Sequence, residues 1–387
     1  MPPLKVSISP NIFEWVLKTA PFDDISDNLR AHFFKWKNNE KQPTFNQILE
    51  FSKKTGIPLG YFFLESPPAE HLPLLNFRTL DSAQATAPSR ELIETYYQMA
   101  AIQDWMRDYL LDLGNEKLPF TASCKNEKDA GKVAASIRNA LNMDVDWYSK
   151  SQNQGDSFRF IRQCFESIGI LVMKNGIVGQ NTHRPLDVYE FRAFTLADDY
   201  APLIFINSRD SEGGQLFSLL HEAAHIWLGT HSFYNDSYGA AFNTSPTETL
   251  CNAAAAEILV PQQVFIGKWN NSGLAVSQNV EKLAKYFKCG KAVIIRKALD
   301  NYFITRGQYK ELTDAIAASF SAVKAKAKGG NYYDTMASRY SKQFILALAD
   351  SVQEGRTLFK DARRLTGTNR ETFAKFADEV RGRLNAK

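Results

Sequence analysis

The 387-residue sequence predicts an α+β fold, predominantly helical, in which a small mixed sheet packs on a helix pair. Three features point to it. Apolar residues recur at helical spacing over most of the chain. Between Gly169 and Asn207 that spacing gives way to three short apolar or alternating runs, which read as strands. Those runs lead into His221-Glu222-Ala223-Ala224-His225, a pentapeptide embedded in helical sequence.

The chain is 44% hydrophobic and 23% charged, an ordinary globular balance. No apolar run approaches the roughly 20 residues of a membrane span, so no membrane partner is expected. The start, Met1-Pro2-Pro3-Leu4-Lys5-Val6, lacks the apolar core of a signal peptide. Cys124, Cys164, Cys251 and Cys289 form neither a CxxC pair nor a disulfide framework. The expectation is a cytoplasmic protein with reduced thiols. The net charge of +4 is uneven. Residues 324–387 hold fourteen Lys and Arg against seven Asp and Glu, a net of +7, so the remainder sums to −3. A basic end of this kind suits nucleic acid, and equally suits a solvated helical face.

Taken in order, Ile12, Phe13, Trp15, Val16 and Leu17 form a first apolar cluster. Phe33, Phe34 and Trp36 form a second, before a turn at 38–44. Thr44 then caps a helix carrying Phe45, Ile48, Leu49 and Phe51, which ends at Gly56-Ile57-Pro58-Leu59-Gly60. Residues 67–73, with three prolines, read as a linker. Residues 89–113 form a long amphipathic helix through Leu92, Ile93, Tyr96, Met99, Ala100, Trp105, Met106 and Leu110, stopped by Gly114. Residues 127–141, with Ala130, Val133, Ala134, Ile137 and Leu141, form another, and the two are expected to pack together as a connector without chemistry. Strands follow at 170–173, 191–196 and 201–207. An outer strand of such a sheet can receive an extended peptide by strand addition.

The helix around the pentapeptide starts at Ser211 as cap and stops at Gly229. Leu216, Leu219, Leu220, Ala223, Ala224, Trp227 and Leu228 make it apolar around much of its girth, so it is a buried helix. Residues at i and i+4 share one face, so His221 and His225 can reach one metal ion while Glu222 is placed to activate a water. Buried imidazoles need partners, and either a metal or backbone carbonyls would serve. Two histidines and a water leave zinc one ligand short of a tetrahedral catalytic site. Glu248 opens a helix running through Leu250, Ala254, Ala255, Ile258 and Leu259 to Pro261, and a loop can bring it back to the metal. Ser245-Pro246-Thr247-Glu248 is equally a capping box, which uses the carboxylate locally. Glu257 competes, about half a turn out of phase with Glu248.

Asn181-Thr182-His183-Arg184-Pro185-Leu186-Asp187, Glu190-Phe191-Arg192-Ala193-Phe194, the strand at 201–207 and the run from His221 to Gly229 together resemble the ImmA/IrrE family of zinc metallopeptidases. The stretch from Glu248 to Pro261 is similar to that family's second metal-site segment, with Cys251 and Ala254 standing where alanine and phenylalanine are expected. The resemblance implies a zincin-like peptidase core with one catalytic Zn²⁺ held by His221, His225 and Glu248. It implies that Glu222 takes a proton from water and delivers it to the leaving amine. It also implies a protein substrate, typically a helix-turn-helix repressor of a stress response or mobile element. For the transition state the chain offers His183, Arg192, His231, Tyr234 and Tyr238, with none singled out. Cys251 is either a redox or inhibitory thiol near the metal or a plain buried residue.

The first residues resemble the XRE-type helix-turn-helix module often fused ahead of this peptidase. The shared features are Trp36, the turn at 38–44, Gly60-Tyr61-Phe62-Phe63-Leu64 and Asn76-Phe77-Arg78-Thr79. The module is shortened: only residues 22–37 fill the space of two helices, and Asp23, Asp24 and Asp27 there would repel phosphates. Residues 280–304 resemble the helix-turn-helix-like element that follows the core, with six Lys and Arg against two acids. The end region resembles the tail of long family members. The implied order is a helix-turn-helix-like module at 1–75, a helical connector at 76–150, the peptidase core at 151–275, a helix-turn-helix-like element at 276–310 and a basic helical region at 311–387. DNA or a related repressor are the alternative partners of the flanking modules. The alternative function is a DNA- or partner-binding regulator, or toxin–antitoxin component, with a latent peptidase.

Overall fold

A computed structural model describes residues 4–20, 22, 25–68, 88–234, 245–270, 273–322 and 332–385. These fall into two compact units, the first running up to Tyr96 and the second from Tyr97 onward. The expected α+β, predominantly helical architecture is the one observed.

In the first unit α1 (Pro10–Thr19), α2 (Asp27–Lys37) and α3 (Phe45–Thr55) are followed by a 3-10 turn at Leu59–Phe63. Thr44 opens α3 with a full capping box, in which its side chain accepts from Gln47 N and the Gln47 side chain accepts from Thr44 N. Phe33, Trp36, Phe51 and Phe62 are buried together, with Phe33 stacked on Phe51 at 5.1 Å. Large rings supply a small helical core with much of its buried area. Asp27 lies in the first turn of α2, where the helix dipole favours an acid. Asp23 and Asp24 lie outside the described residues.

α4 (Arg90–Asp112) runs from the first unit into the second, followed by α5 (Ala130–Ala140) and α6 (Gln154–Ser167). Next come β1 (Leu171–Asn175), β2 (Ile177–Val178), β3 (Asn181–Pro185), β4 (Ala193–Leu196) and β5 (Leu203–Asn207). α7 (Glu212–Leu228), β6 (Ser232–Tyr234), α8 (Pro246–Leu259) and α9 (Gln262–Asn270) follow. The remaining helices are α10 (Val276–Phe287), α11 (Lys291–Asp300), α12 (Arg306–Ala322), α13 (Tyr332–Arg339), α14 (Lys342–Gln353), α15 (Phe359–Thr366) and α16 (Arg370–Asn385). Among the described residues no helix is long and apolar enough to cross a membrane.

Four strands form a mixed sheet in the order β1-β5-β4-β6. β1 lies parallel to β5, while the β5–β4 and β4–β6 pairs are antiparallel. β1, β4 and β5 match the three expected strands to within about two residues at each end, the usual uncertainty of a strand boundary. β3 escapes the pattern because it is polar and largely exposed, and β6 because three residues are too short to show a period. β2 and β3 pair as a separate hairpin.

α7 packs on β4 and β5 with one side and on α6, α8 and α5 with the others. From Gly213 to Leu228 all of its residues except Phe217 are buried, so its polar side chains have no solvent to turn to. α5 belongs to this core rather than to a connector with α4. Val133, Ala134 and Ile137 are fully buried, and α5 packs closely on α8. The two edges of the sheet differ. Arg162 of α6 donates to Val172 O on β1 (2.9 Å) and to Ser338 O and Tyr340 O (2.6 Å each). With α13 packed alongside, that edge is closed to another strand. β6 is the opposite edge.

The C-terminal end of α7 is held by the segment before α5. Trp227 O accepts from Cys124 N (2.8 Å), and Ile226 O accepts from Ala122 N (3.0 Å) as well as from Gly229 N (3.1 Å). Gly229 closes the helix in the left-handed region (φ 68°, ψ 35°), and a Cβ there would lie 2.7 Å from Ala122 Cβ. Ala122 itself holds φ 55°. Gly229→Ala should therefore cost about 2 kcal/mol or more, from backbone strain and overlap together. Adding Ala122→Gly should recover part of the loss by removing the methyl in the way. Urea unfolding of the single and double variants checks this, and an equal loss in both would rule out the clash.

Candidate metal centre

His221 and Glu222 have no exposed surface, and His225 is 2% exposed. Their helical spacing lays both imidazoles on one side of α7, with the Nε2 atoms 3.1 Å apart. α8 brings Glu248 to them from its first turn. Its Oε2 lies 3.0 Å from His221 Nε2 and its Oε1 3.4 Å from His225 Nε2. Ser245 caps α8 by accepting from the backbone of Glu248 (3.2 Å), while the carboxylate is turned to the imidazoles. Glu257 points elsewhere and accepts from Lys297 Nζ (2.7 Å), an ion pair that links α8 to α11.

The outer nitrogens of the two rings decide what the inner ones can do. His221 Nδ1 stands 2.9 Å from Asn252 Oδ1, and a carbonyl oxygen only accepts, so that Nδ1 carries the proton. Thr230 Oγ1 donates to His225 O (3.4 Å), which leaves it to accept from His225 Nδ1 (2.9 Å). With Nδ1 engaged outward, the neutral form of each ring turns its Nε2 lone pair towards the other ring and the carboxylate. These three ligand atoms lie within 4.8 Å of one another. In a buried place such lone pairs and a carboxylate repel unless a proton or a metal ion lies between them. Two imidazoles and a carboxylate are also the donor set of a catalytic zinc site, which keeps a further position open. Asn252 and Thr230 stand where outer partners orient such ligands.

Glu222 is held differently. Its Oε2 accepts from Thr195 Oγ1 (2.6 Å) and Ser232 Oγ (2.8 Å). Its Oε1 is buried and, among the described residues, has no hydrogen-bond partner. Burial pushes this carboxyl up to about 7, against the opposing pull of His225 and the two hydroxyls.

Among the described residues the possible metal-ligand group is His221, His225 and Glu248 alone. Arg192 is buried and donates to Asp210 Oδ2 (2.7 Å), whose Oδ1 accepts from Ser211 N (2.7 Å). The pair ties the start of β4 to the cap of α7, and a Cβ at Gly214 would collide with the Asp210 carboxylate. His183 is exposed on β3. His231 Nδ1 accepts from Ala197 N (3.1 Å), and burial lowers the pKa of this ring. Tyr234 ends β6 opposite Ala193, and Tyr238 lies outside the described residues. Burial, with Glu248 and Glu222 adding to it, raises the Cys251 thiol well above its ordinary range, as befits an inert thiol.

None of Asn252, Thr230, Thr195 and Ser232 is marked as a site residue by the sequence, although Asn252 lies within the 248–261 segment and Thr195 within an expected strand. Asn252 does carry a signal, since it lies four residues after Glu248 and so on the same face of α8. Thr195 and Ser232 become neighbours only through the register of β4 and β6, which pairs them directly.

Residues 165–299 match the peptidase M78 family model, described as an IrrE N-terminal-like domain. The match spans the sheet, α7 and α8, and so contains His221, Glu222, His225 and Glu248. It supports a metallopeptidase-type function in general. Residues 340–379 match the model of a domain of unknown function, DUF8813. No curated protein matches the chain.

Two outcomes are expected. Asn252→Ala should weaken metal binding about ten- to a hundredfold in chelator competition, as loss of an outer partner does. Unchanged affinity would remove Asn252 from the site. The second concerns pH. A carboxyl titrating near 7 in the fold, against 4.5 ordinarily, binds its proton more tightly when folded. It therefore weakens the fold progressively as pH rises from 4.5 to about 7, and by a constant amount above. Metal-free Glu222→Gln should be more stable than metal-free wild type above about pH 7, by up to about 3 kcal/mol. The two should converge below about pH 4, where the wild-type carboxyl is neutral in both states. Urea unfolding at both ends of this range measures the difference.

Proposed function

We propose that the chain is a zinc-dependent metalloendopeptidase. The observation that carries this reading is Glu222 Oε1, buried and unpartnered among the described residues, one position from a converging ligand on the same helix. His221, His225 and Glu248 would hold the zinc. Bound there, the ion supplies Lewis-acid polarisation of the scissile carbonyl and makes water more acidic. Glu222 does the proton work, taking a proton from the attacking water and passing it to the leaving amine. A carboxyl brought to about 7 suits both halves of that task. β6, the edge not covered by α13, is the strand along which an extended peptide would lie.

The proposed substrate is a repressor-type transcription factor of a stress-response or mobile-element circuit, in the cytoplasm. This rests on the resemblance carried by residues 181–261. A second reading, a DNA- or partner-binding regulator with a latent peptidase, draws on the exposed Lys360, Arg363, Arg364 and Arg370 of α15 and α16. Zinc content and salt separate the two, because binding through phosphate contacts weakens steeply as salt rises.

Glu222→Gln is expected to keep its zinc and its fold while cleavage falls by about a hundredfold or more. Proteomes of cells carrying wild type and Glu222→Gln should differ in one transcription factor, lost only with the wild type. Undiminished cleavage by the variant would sink the assignment.

A further inference from the structure

Glu222 is gripped by one oxygen only, and strand register sets the grip. β4 and β6 pair so that Thr195 lies directly opposite Ser232. Directly opposed side chains on an antiparallel pair share one face of the sheet, and this face lies on α7. Thr195 has no exposed surface and Ser232 is 1% exposed, so neither hydroxyl can be traded for bulk water. Both donate to the same atom, Glu222 Oε2, at 2.6 and 2.8 Å. A carboxylate oxygen has two lone-pair positions, and two donors fill them. The shorter bond falls in the range of a charge-assisted O–H···O⁻ contact. The other acceptor within reach of Thr195 is Glu222 O, at the longer distance of 3.1 Å.

We infer that Thr195 and Ser232 are positioning residues for Glu222. By donating together to Oε2 they fix the plane of the carboxylate and leave Oε1 as the oxygen that exchanges the proton. The inference rests on the metalloendopeptidase reading for its chemistry. In hydrolysis the water oxygen bonds to the scissile carbonyl carbon as one of its O–H bonds breaks and that proton goes to Oε1. The Oε1–H bond then breaks as the N–H bond of the leaving amine forms and the C–N bond breaks, and Oε2 keeps both accepted hydrogen bonds throughout. Without the two hydroxyls the carboxylate can turn about its last side-chain bond, and either oxygen, or neither, faces the water. Reaction rates are sensitive to such misplacement even when binding is not.

The test compares zinc-loaded wild type, Thr195→Val, Thr195→Ser and the double variant Thr195→Val/Ser232→Ala. The probe is one fluorogenic peptide selected from a library with the wild type. Thr195→Val should lower kcat about ten- to a hundredfold, the effect of losing one hydrogen bond to a charged group, with KM within about twofold. Thr195→Ser restores the hydroxyl and should restore most of kcat. A merely structural role would move KM, zinc content and melting temperature together and would not be repaired by serine. Crystal structures form the second arm. In the double variant the Glu222 carboxylate should rotate while His221, His225 and Glu248 stay in place. An unmoved carboxylate in the double variant overturns the inference, as does a Thr195→Val enzyme with unchanged kcat. If the wild type cleaves no peptide at all, the peptidase reading fails, and the crystallographic arm still decides whether the hydroxyls hold Glu222.

Discussion

Two imidazole nitrogens face each other at 3.1 Å, each ring carrying its proton on the far side, with a carboxylate between 3.0 and 3.4 Å away. Among the described residues this is the one group of His, Cys, Asp and Glu side chains that could hold a metal ion. Had α7 an exposed side, the rings could turn to water and the repulsion would vanish. It has none, because the sheet, α5, α6 and α8 enclose it. Asn252 and Thr230 hold the ring protons outward, so the lone pairs stay inward. The enclosing elements thus supply stability and, through their polar residues, a place suited to a metal ion.

How much of this could be read in the chain depends on how local each relation is. His221, Glu222 and His225 are legible because helical spacing alone puts the two imidazoles on one face. Glu248 is only partly legible, since Ser245-Pro246-Thr247-Glu248 also reads as a capping box; the Ser245 cap forms, but the carboxylate is not used in it. The backbone of Glu248 serves the cap and its carboxylate serves the imidazoles. Glu257 separates from it by helical phase, which the pairing with Lys297 bears out.

Relations across elements were hidden. Arg192 looks like a free cation in the sequence because its partner Asp210 lies beyond a strand and a turn. Amphipathic spacing shows that α5 buries a face, not that α8 is what the face meets. The pairing of Thr195 with Ser232 depends on a three-residue strand with no pattern of its own. The C-terminal helices likewise join the core through contacts no motif records. Arg162 spans β1 and the start of the 340–379 stretch, Tyr340 Oη donates to Thr366 O (3.1 Å), and Gln180 donates to the same carbonyl (2.9 Å).

The clasp on the end of α7 bears on where this chain can be cut. The family match begins at residue 165, yet Ala122 and Cys124, whose N–H groups bond to the last carbonyls of α7, lie some forty residues earlier, and α5, which packs on α8, also lies ahead of it. A fragment trimmed to the matched borders would keep both histidines and both glutamates while baring the helix terminus next to His225 and the face of α8 that α5 covers. The stretch that similarity marks out and the stretch that folds are therefore different lengths of the same chain. Any minimal version of the metal centre has to start ahead of Leu118, whose N–H already bonds to Asp199 O (2.8 Å) beyond β4.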